Sequence, residues 1–425
     1  MVSRRLRPIV ECMTTTITAG TQCPSLFESA LPVLDYGEGL DPDVAHRVIR
    51  AARSQAPIGF GPYGPELLDY ELVRTMLRDS RFAMPKGIGL VVQGITSGPV
   101  WDRVGALLIS LDLAEHQRLR HLVARAFTPR AAGRMRTACV EVINELVDPV
   151  AVVGHCDFVA DVASHYPIPI ICELLGAPRE DWQLFSDWAA DISKAFGGNV
   201  AENETAILAS WEALDGYLKE LIERRRHSLA DDLISDLIRV EDDGERLSHE
   251  ELRNLAVILL NAGTDTTRNQ LAAAVQTFAD HPEQWALLAE RPELAHAAVE
   301  EVMRHSPVIF NAIRQATEDV ELGGVLIPAG AYVMASTAAA NRDPARYDEP
   351  ERLDITREEP PAMLTFGGGV HYCLGAHLAR VELAEALKVL ARRMPNLRRT
   401  GPAPWKSIFE ISGPTTLPIA FEAGH

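Results

Sequence analysis

The pattern from Glu250 to Ala279 constrains the fold of this chain most. Apolar residues recur there at three- and four-residue steps through about eight turns of a 3.6-residue helix. The same periodicity covers Asp41 to Arg53, Glu66 to Arg78, Glu115 to Phe127, Arg136 to Val147, Asp157 to Leu175, Asp181 to Phe196, Asn203 to Arg226 and Pro292 to His305. Strand signals are shorter. Glu321 to Met334 reads as a hairpin punctuated by glycine, and Ser407 to Phe421 as another small β element. The expected fold class is therefore mainly α with small β-sheets. Met84 to Pro99 is apolar and glycine-rich without clean periodicity, which predicts a long functional loop.

The chain has 425 residues, 47% hydrophobic and 24% charged, enough for a large buried core. No linker, repeat or low-complexity tract divides it, so a single domain is expected over residues 21–425. Residues 1–20 read as a disordered N-terminal extension, because Met13 begins a more ordinary start. A formal net charge of -18 argues against a nucleic-acid partner and suits a cytoplasmic protein, although arginines cluster between Arg118 and Arg136. Six cysteines form no CxxC pair and no zinc pattern, and Cys139 and Cys172 read as core thiols in a reducing compartment. The basic start is not followed by the apolar stretch of a signal peptide, and no window approaches the roughly 18 apolar residues of a membrane span.

The middle of the long helix, Ala262-Gly263-Thr264-Asp265-Thr266-Thr267, is poor helix sequence. An interior glycine costs ~1 kcal/mol against alanine, and three threonines and an aspartate add to that. Thr266 is placed to bond back to the Ala262 carbonyl and bend the helix. Local conflict of this kind marks functional sites, and an acid beside an alcohol can carry protons. The glycine would let a ligand lie on the helix. A surface Asp-Thr-Thr stretch with a packing glycine is the plainer alternative.

A second constellation is Phe366-Gly367-Gly368-Gly369-Val370-His371-Tyr372-Cys373-Leu374-Gly375, ahead of a helical pattern from Leu374 to Met394. A helix N-terminus offers unpaired N–H groups and partial positive charge, which favour thiolate. Gly375 lets another body approach the backbone closely. The segment reads as a thiolate held against something flat or anionic, either as a nucleophile or as a metal ligand. A third pattern places Glu301 and Arg304 on one helix face, where they can pair.

In this order the three patterns resemble the cytochrome P450 superfamily of haem-thiolate monooxygenases in its bacterial form. The cysteine segment is similar to the haem-binding signature at Phe366, Gly369, His371, Cys373 and Gly375. The long helix is similar to the oxygen-activation motif at Ala262, Gly263, Asp265, Thr266 and Thr267. Glu301 and Arg304 look like the Glu-x-x-Arg pair, and Arg352 falls where a third member is expected. Glu115 to Arg120 resembles a propionate-binding helix, Arg314 a strand arginine, and Asn341-Arg342-Asp343-Pro344 the start of the meander.

The resemblance implies a buried haem b (iron protoporphyrin IX) with Cys373 as its axial ligand. It implies that His116, Arg120, Arg314 and His371 neutralise the propionates, and that Phe366, Gly367, Gly375 and Ala262 border the cofactor. Asp265 and Thr266 would deliver protons during dioxygen activation. Glu301, Arg304 and Arg352 would form a structural ion network, while His121 and His377 are read as structural or exposed. The substrate would be a small, mostly apolar organic molecule, lined by Met84 to Pro99, Ala190 to Asn203, Ala262, Val308 to Ile313 and Ile411. Phe310 and Asn311 would be exceptions in that lining, and Gly197-Gly198 a lid hinge. O2 would be the oxidant. Electrons would come from NAD(P)H through a ferredoxin reductase and a ferredoxin docking at Arg118, Arg125, Arg134 and Arg136.

Rival readings are weaker. A phosphate cradle of the cysteine-phosphatase kind would need its histidine directly before the cysteine, where Tyr372 stands. A haem sensor without catalysis needs no proton relay. A peroxide-driven peroxygenase needs no electron partner, but in peroxide-using relatives the acid–alcohol pair is typically altered.

Overall fold

The computed structural model describes residues 23–37, 41–87, 89–124, 127–197, 199–242 and 247–423. The expected extension over residues 1–20 lies outside them, as do Arg125 and Gly198. Helices α1 (Pro42–Arg53), α2 (Tyr70–Met76), α3 (Pro99–Gly105), α4 (Leu113–Ala124), α5 (Pro129–Arg134), α6 (Arg136–Val153), α7 (Pro167–Leu175) and α8 (Trp182–Ser193) make up the first half. The second half holds α9 (Val200–His227), α10 (Leu233–Asp242), α11 (His249–Asp280), α12 (Pro282–Glu290), α13 (Ala295–His305), α14 (Thr337–Ala340) and α15 (Ala376–Arg393).

Helix starts follow from capping chemistry. Asp41 accepts from the Asp43 and Val44 N–H groups at the head of α1 (2.8 and 3.2 Å). Ser248 and Glu251 form a reciprocal capping box on α11. Helix α11 runs through the main core, packed by α7, α8, α9 and α15. Its buried face includes Leu252, Leu255, Leu260, Leu271 and Phe278.

The sheets are small and set to one side. The largest has five strands in the order β1 (Ile58–Gly61), β2 (Gly64–Leu67), β8 (Tyr332–Ser336), β5 (Asn311–Ala316), β3 (Phe82–Ala83). Only β2 and β8 run parallel, with Glu66 opposite Met334. β4 (His155–Asp157), β10 (Pro418–Ala420) and β9 (Arg398–Arg399) form a second sheet, and β6 (Val320–Leu322) with β7 (Val325–Ile327) a hairpin.

Several expected boundaries shift. Glu66 belongs to β2 rather than to a helix, and α2 starts only after the Asp69 cap. The stretch Asp157 to Leu175 is no single helix. A π-helical turn at Val159–Ala163 ends it, and Pro167, favoured in a first helical turn where no N–H is needed, starts α7 afresh. The expected hairpin from Glu321 to Met334 splits between two sheets, and the tail contributes a strand only at Pro418–Ala420.

Candidate active site

The cysteine loop is held from three directions. Asn341 accepts from the Leu364 N–H (2.7 Å) and donates to Thr365 Oγ1 (2.7 Å), and Thr365 donates to the Met303 carbonyl on α13 (2.9 Å). Gly367 and Gly369 take left-handed conformations that favour glycine. A Cβ on Gly369 would collide with the Leu77 carbonyl just past α2, so this glycine admits protein, not cofactor. Around Gly375, by contrast, a Cβ would meet nothing within 4 Å, which leaves room for a flat body.

Cys373 follows, its N–H donating to the Phe366 carbonyl (2.9 Å), with α15 beginning three residues on. Burial pushes the Cys373 thiol up, against the Gly375 N–H, Arg120 and Arg380, which favour thiolate. The expected lowering by the helix terminus is therefore outweighed in the protein alone. Binding of a cation to the sulfur would shift that balance toward thiolate. Arg380 stacks on Phe366, its guanidinium carbon 4.5 Å from the ring centroid, and pairs with Glu300.

The four expected propionate cations come from three elements. His116 and Arg120 sit on α4, Arg314 on β5 and His371 in the cysteine loop. Arg120 donates to the Tyr372 carbonyl, tying α4 to the loop. The His116 and His371 rings lie 4.1 Å apart; His116 Nδ1 is buried without a hydrogen-bond partner, while His371 Nε2 faces Asp112. Burial, with Arg120 nearby, lowers His116, while burial, His116 and Arg314 take His371 down to about 4. Arg314 is buried and donates to the Ile313 carbonyl (2.8 Å). Only Asp112, 3.6 Å from His371 Nε2, brings negative charge among them. Unpaired buried donors are costly, and this set fits the carboxylates of a dianionic cofactor.

In the middle of α11, Ala262 is exposed, with Asn261 before it buried and Gly263 after it half-buried. Thr266 Oγ1 donates to the Ala262 carbonyl at 2.6 Å, as the local sequence predicts. Gly263 does something other than expected. A Cβ there would stand 2.8 Å from Ile171 Cδ1, so the glycine lets α7 pack closely. Asp265 turns away from Thr266. It pairs with Arg268, accepts from Asn269 Nδ2 (3.2 Å) and lies 3.9 Å from Lys406 Nζ.

Glu301 and Arg304 form a buried bidentate pair at 2.8 and 2.7 Å. The third side chain is Arg357, whose Nε donates to Glu301 Oε1 (2.9 Å). Arg352 is a correction: its side chain is exposed and pairs with Glu349 and Asp354, and only its carbonyl reaches Arg304. Phe310 is a second correction. At 1% exposure it packs toward α1, its ring centroid 5.3 Å from that of His46, and is core. Asn311 keeps a buried Oδ1 with no partner. The loop from Met84 to Pro99 is tied to the head of α9 by Gln93, which donates to Gly197 O (2.7 Å) and accepts from Val200 N (3.3 Å). His121 and His377 are exposed, and Cys139 and Cys172 are buried core thiols.

Sequence reasoning missed Glu382. It lies on α15 at 1% exposure, with neither carboxyl oxygen hydrogen-bonded in good geometry. Burial pushes it up to about 8, and nearby Thr267 of α11 opposes this. Its place in the helical pattern, among Val381, Leu383 and Ala384, is a hint that only the fold makes readable.

Fold and site together fit a helical protein that holds a flat, anionic cofactor beside a cysteine loop. Residues 191–393 match the sequence profile described as Cytochrome P450. The chain is 40% identical over 369 residues to nocardicin C N-oxygenase of Nocardia uniformis subsp. tsuyamanensis, covering 85% of this chain and 91% of that protein. It is 41% identical over 369 residues to mycinamicin IV hydroxylase/epoxidase of Micromonospora griseorubida, with the same coverage. The crystal structure of CalO2 superposes with a TM-score of 0.83 at 31% identity, over 90% of this chain and 98% of that one. The chain belongs to the cytochrome P450 family. With the family come haem b and monooxygenase activity, using O2, an organic substrate and redox partners. No helix among the described residues is long and apolar enough to cross a membrane.

Proposed function

We propose that this monooxygenase inserts one atom of O2 into a C–H bond of a small, mostly apolar organic molecule, and that Cys373 would hold the haem iron. The observation that carries the reading is the half-buried Cys373 on a loop that Arg120 ties to α4 through the Tyr372 carbonyl, with the His116 and His371 rings 4.1 Å apart and His116 Nδ1 buried without a hydrogen bond. When bound, the haem supplies the redox activation of dioxygen, which a thiolate ligand favours by donating electron density.

The chain's own residues do the rest. His116, Arg120, Arg314 and His371 hold the propionates by charge-assisted bonds. Phe366, Gly367 and Gly375 border the cysteine side and Ala262 the opposite side. Thr266 offers its hydroxyl oxygen as an acceptor while its proton is engaged by Ala262, and Asp265 connects to solvent. The Glu301–Arg304–Arg357 network fixes α13 beneath the loop and takes no part in proton transfer.

Electrons are assigned to NAD(P)H through a ferredoxin reductase and a ferredoxin that docks by Arg118, Arg134 and Arg136. Each of these arginines has a carboxylate partner: Glu251, Asp231 with Asp236, and Glu385. The Arg118 and Arg134 pairs are partly exposed, and such pairs are worth ~0–1 kcal/mol, so an acidic partner can compete for them, whereas the carboxylate that faces Arg136 is buried. The acidic chain with its buried thiols is assigned to the cytoplasm.

The test is a screen of apolar compounds for those that shift the Soret band, followed by turnover of the strongest under isotopically labelled O2. Label in a hydroxylated product, dependent on ferredoxin and NAD(P)H, is expected. Equal turnover with hydrogen peroxide alone would favour the peroxygenase reading instead.

A further inference from the structure

A cavity of about 420 Å³ lies between the start of α1, the ends of α11 and α13, and the tail up to Trp405. None of the residues that border it belongs to the cysteine loop or to the expected haem contacts. Prolines stand at the chain turns around it: Pro42, Pro307, Pro402 and Pro404. A proline fixes the backbone and brings no N–H, so these corners give the cavity a rigid, apolar wall. Trp405 closes one side, its Nε1 donating to Gln276 Oε1 on α11 (2.9 Å).

Charge is divided between floor and rim. On the floor, His46, His305 and Arg342 are 5%, 9% and 6% exposed. Arg342 Nη1 donates to Glu351 Oε2 (2.6 Å), and its Nε donates to the His305 carbonyl (3.1 Å). On the rim, Asp41, Asp43 and Asp280 are exposed. Asp41 is engaged in capping α1, and Asp280 pairs with Arg399 (2.6 Å). Asp43 has no ion-pair partner among the described residues, and its charge acts on Arg342.

Three histidines border the cavity, and two are satisfied. His281 Nδ1 bonds the Thr277 carbonyl (2.8 Å), while His305 bonds the Glu351 carbonyl through Nε2 (3.1 Å) and Ser306 Oγ through Nδ1 (2.9 Å). His46 is the exception, because its Nε2 is buried without a hydrogen-bond partner. Burial first, and then the charges of Arg342, His305, Arg304 and Arg53, hold its ring well below the usual histidine range, so it stands neutral. A neutral imidazole offers one donor and one acceptor, and leaving either unused in a buried place is costly. The charges that act on it are all positive, so the group that suits this floor is an anion.

We propose that this cavity is a binding site, distinct from the haem pocket, for a zwitterion of the apolar amino-acid class. The carboxylate lies on the floor, against His46 and Arg342. The ammonium group meets Asp43 on the rim. The apolar side chain rests on the prolines and Trp405. Apolar walls with a few placed polar groups are the usual make-up of a small-molecule site. The inference is independent of the haem assignment, because it uses none of the residues given to the cofactor or to the proton relay.

The test is calorimetric titration of the haem-loaded enzyme with L-phenylalanine, 3-phenylpropionate, which lacks the amine, and phenethylamine, which lacks the carboxylate. L-Phenylalanine should bind several-fold more tightly than either, with the Soret band unmoved. His46→Phe keeps a ring of similar size without nitrogens and should weaken L-phenylalanine and 3-phenylpropionate several-fold. Asp43→Asn should weaken L-phenylalanine and phenethylamine while leaving 3-phenylpropionate unchanged. Should His46→Phe lower the melting temperature, Asp43→Asn on the exposed rim decides the matter alone. No binding of any of the three at millimolar concentration would overturn the site, since the His46 nitrogen then needs only a water. A Soret shift that tracks the binding heat, equal affinity for all three compounds, or affinities unaltered in both variants would overturn it as well.

Discussion

Thr266 spends its proton on the Ala262 carbonyl at 2.6 Å, so its oxygen is oriented as an acceptor. Thr266→Ala should keep haem and substrate binding but divert reducing equivalents to hydrogen peroxide; tight coupling in that variant would refute the relay. Glu382 makes a different prediction. Its carboxyl is pushed from an ordinary value of 4.5 up to about 8. Between those values the unfolded chain has released this proton and the folded chain still holds it. Stability contributed by the neutral form is therefore lost as pH rises through that window, on the order of a few kcal/mol. Glu382→Gln should flatten the fall in unfolding free energy between pH 5 and about 8 in denaturant titrations. A wild-type curve that rises there would contradict the assignment. Cys373 was legible from its neighbours in sequence, because a glycine loop before a helix has few uses. Glu382 was not, since nothing local marks a carboxylate that only the packing of α15 into the core, on α6, α13 and α11, buries.

At the scale of elements, the long helix α11 was read nearly to its ends, because its periodicity is a local feature. Glu66 was misread into a helix because its parallel partner, Met334, lies far along the chain, and local periodicity carries no information about such pairing. The choice of Arg357 over Arg352 is of the same kind. Glu349 takes a left-handed turn there (φ 44°), and the reversed chain brings only the later guanidinium to Glu301. Gly369 tests how the cysteine loop is seated. It holds φ 64° and abuts the Leu77 carbonyl, so Gly369→Ala meets both backbone strain and a collision with rigid main chain. Left-handed strain alone costs about 1–3 kcal/mol. The variant should unfold at a lower temperature and lose haem more readily; unchanged melting would show that the loop seats otherwise.

For the whole molecule, a formal charge of -18 sets a repulsive field for an acidic electron donor. Docking must therefore be local. The cysteine loop presents Val370 and Tyr372 at 49% and 37% exposure, with Arg118, Arg134 and Arg136 engaged in surface pairs. Reversing those arginines to glutamate should slow electron transfer and flatten its salt dependence, since steering is screened within about 10 Å at 0.1 M salt. An unchanged rate and salt profile would move the docking site elsewhere. All of this depends on one proposed bond, between the Cys373 sulfur and the haem iron. The most direct measurement is the absorption spectrum of the ferrous carbon monoxide complex in the wild-type protein and in Cys373→Ser. The wild type should show the strongly red-shifted Soret band of a thiolate-ligated haem and the variant should lose it. A red-shifted band that survives in Cys373→Ser would contradict the account.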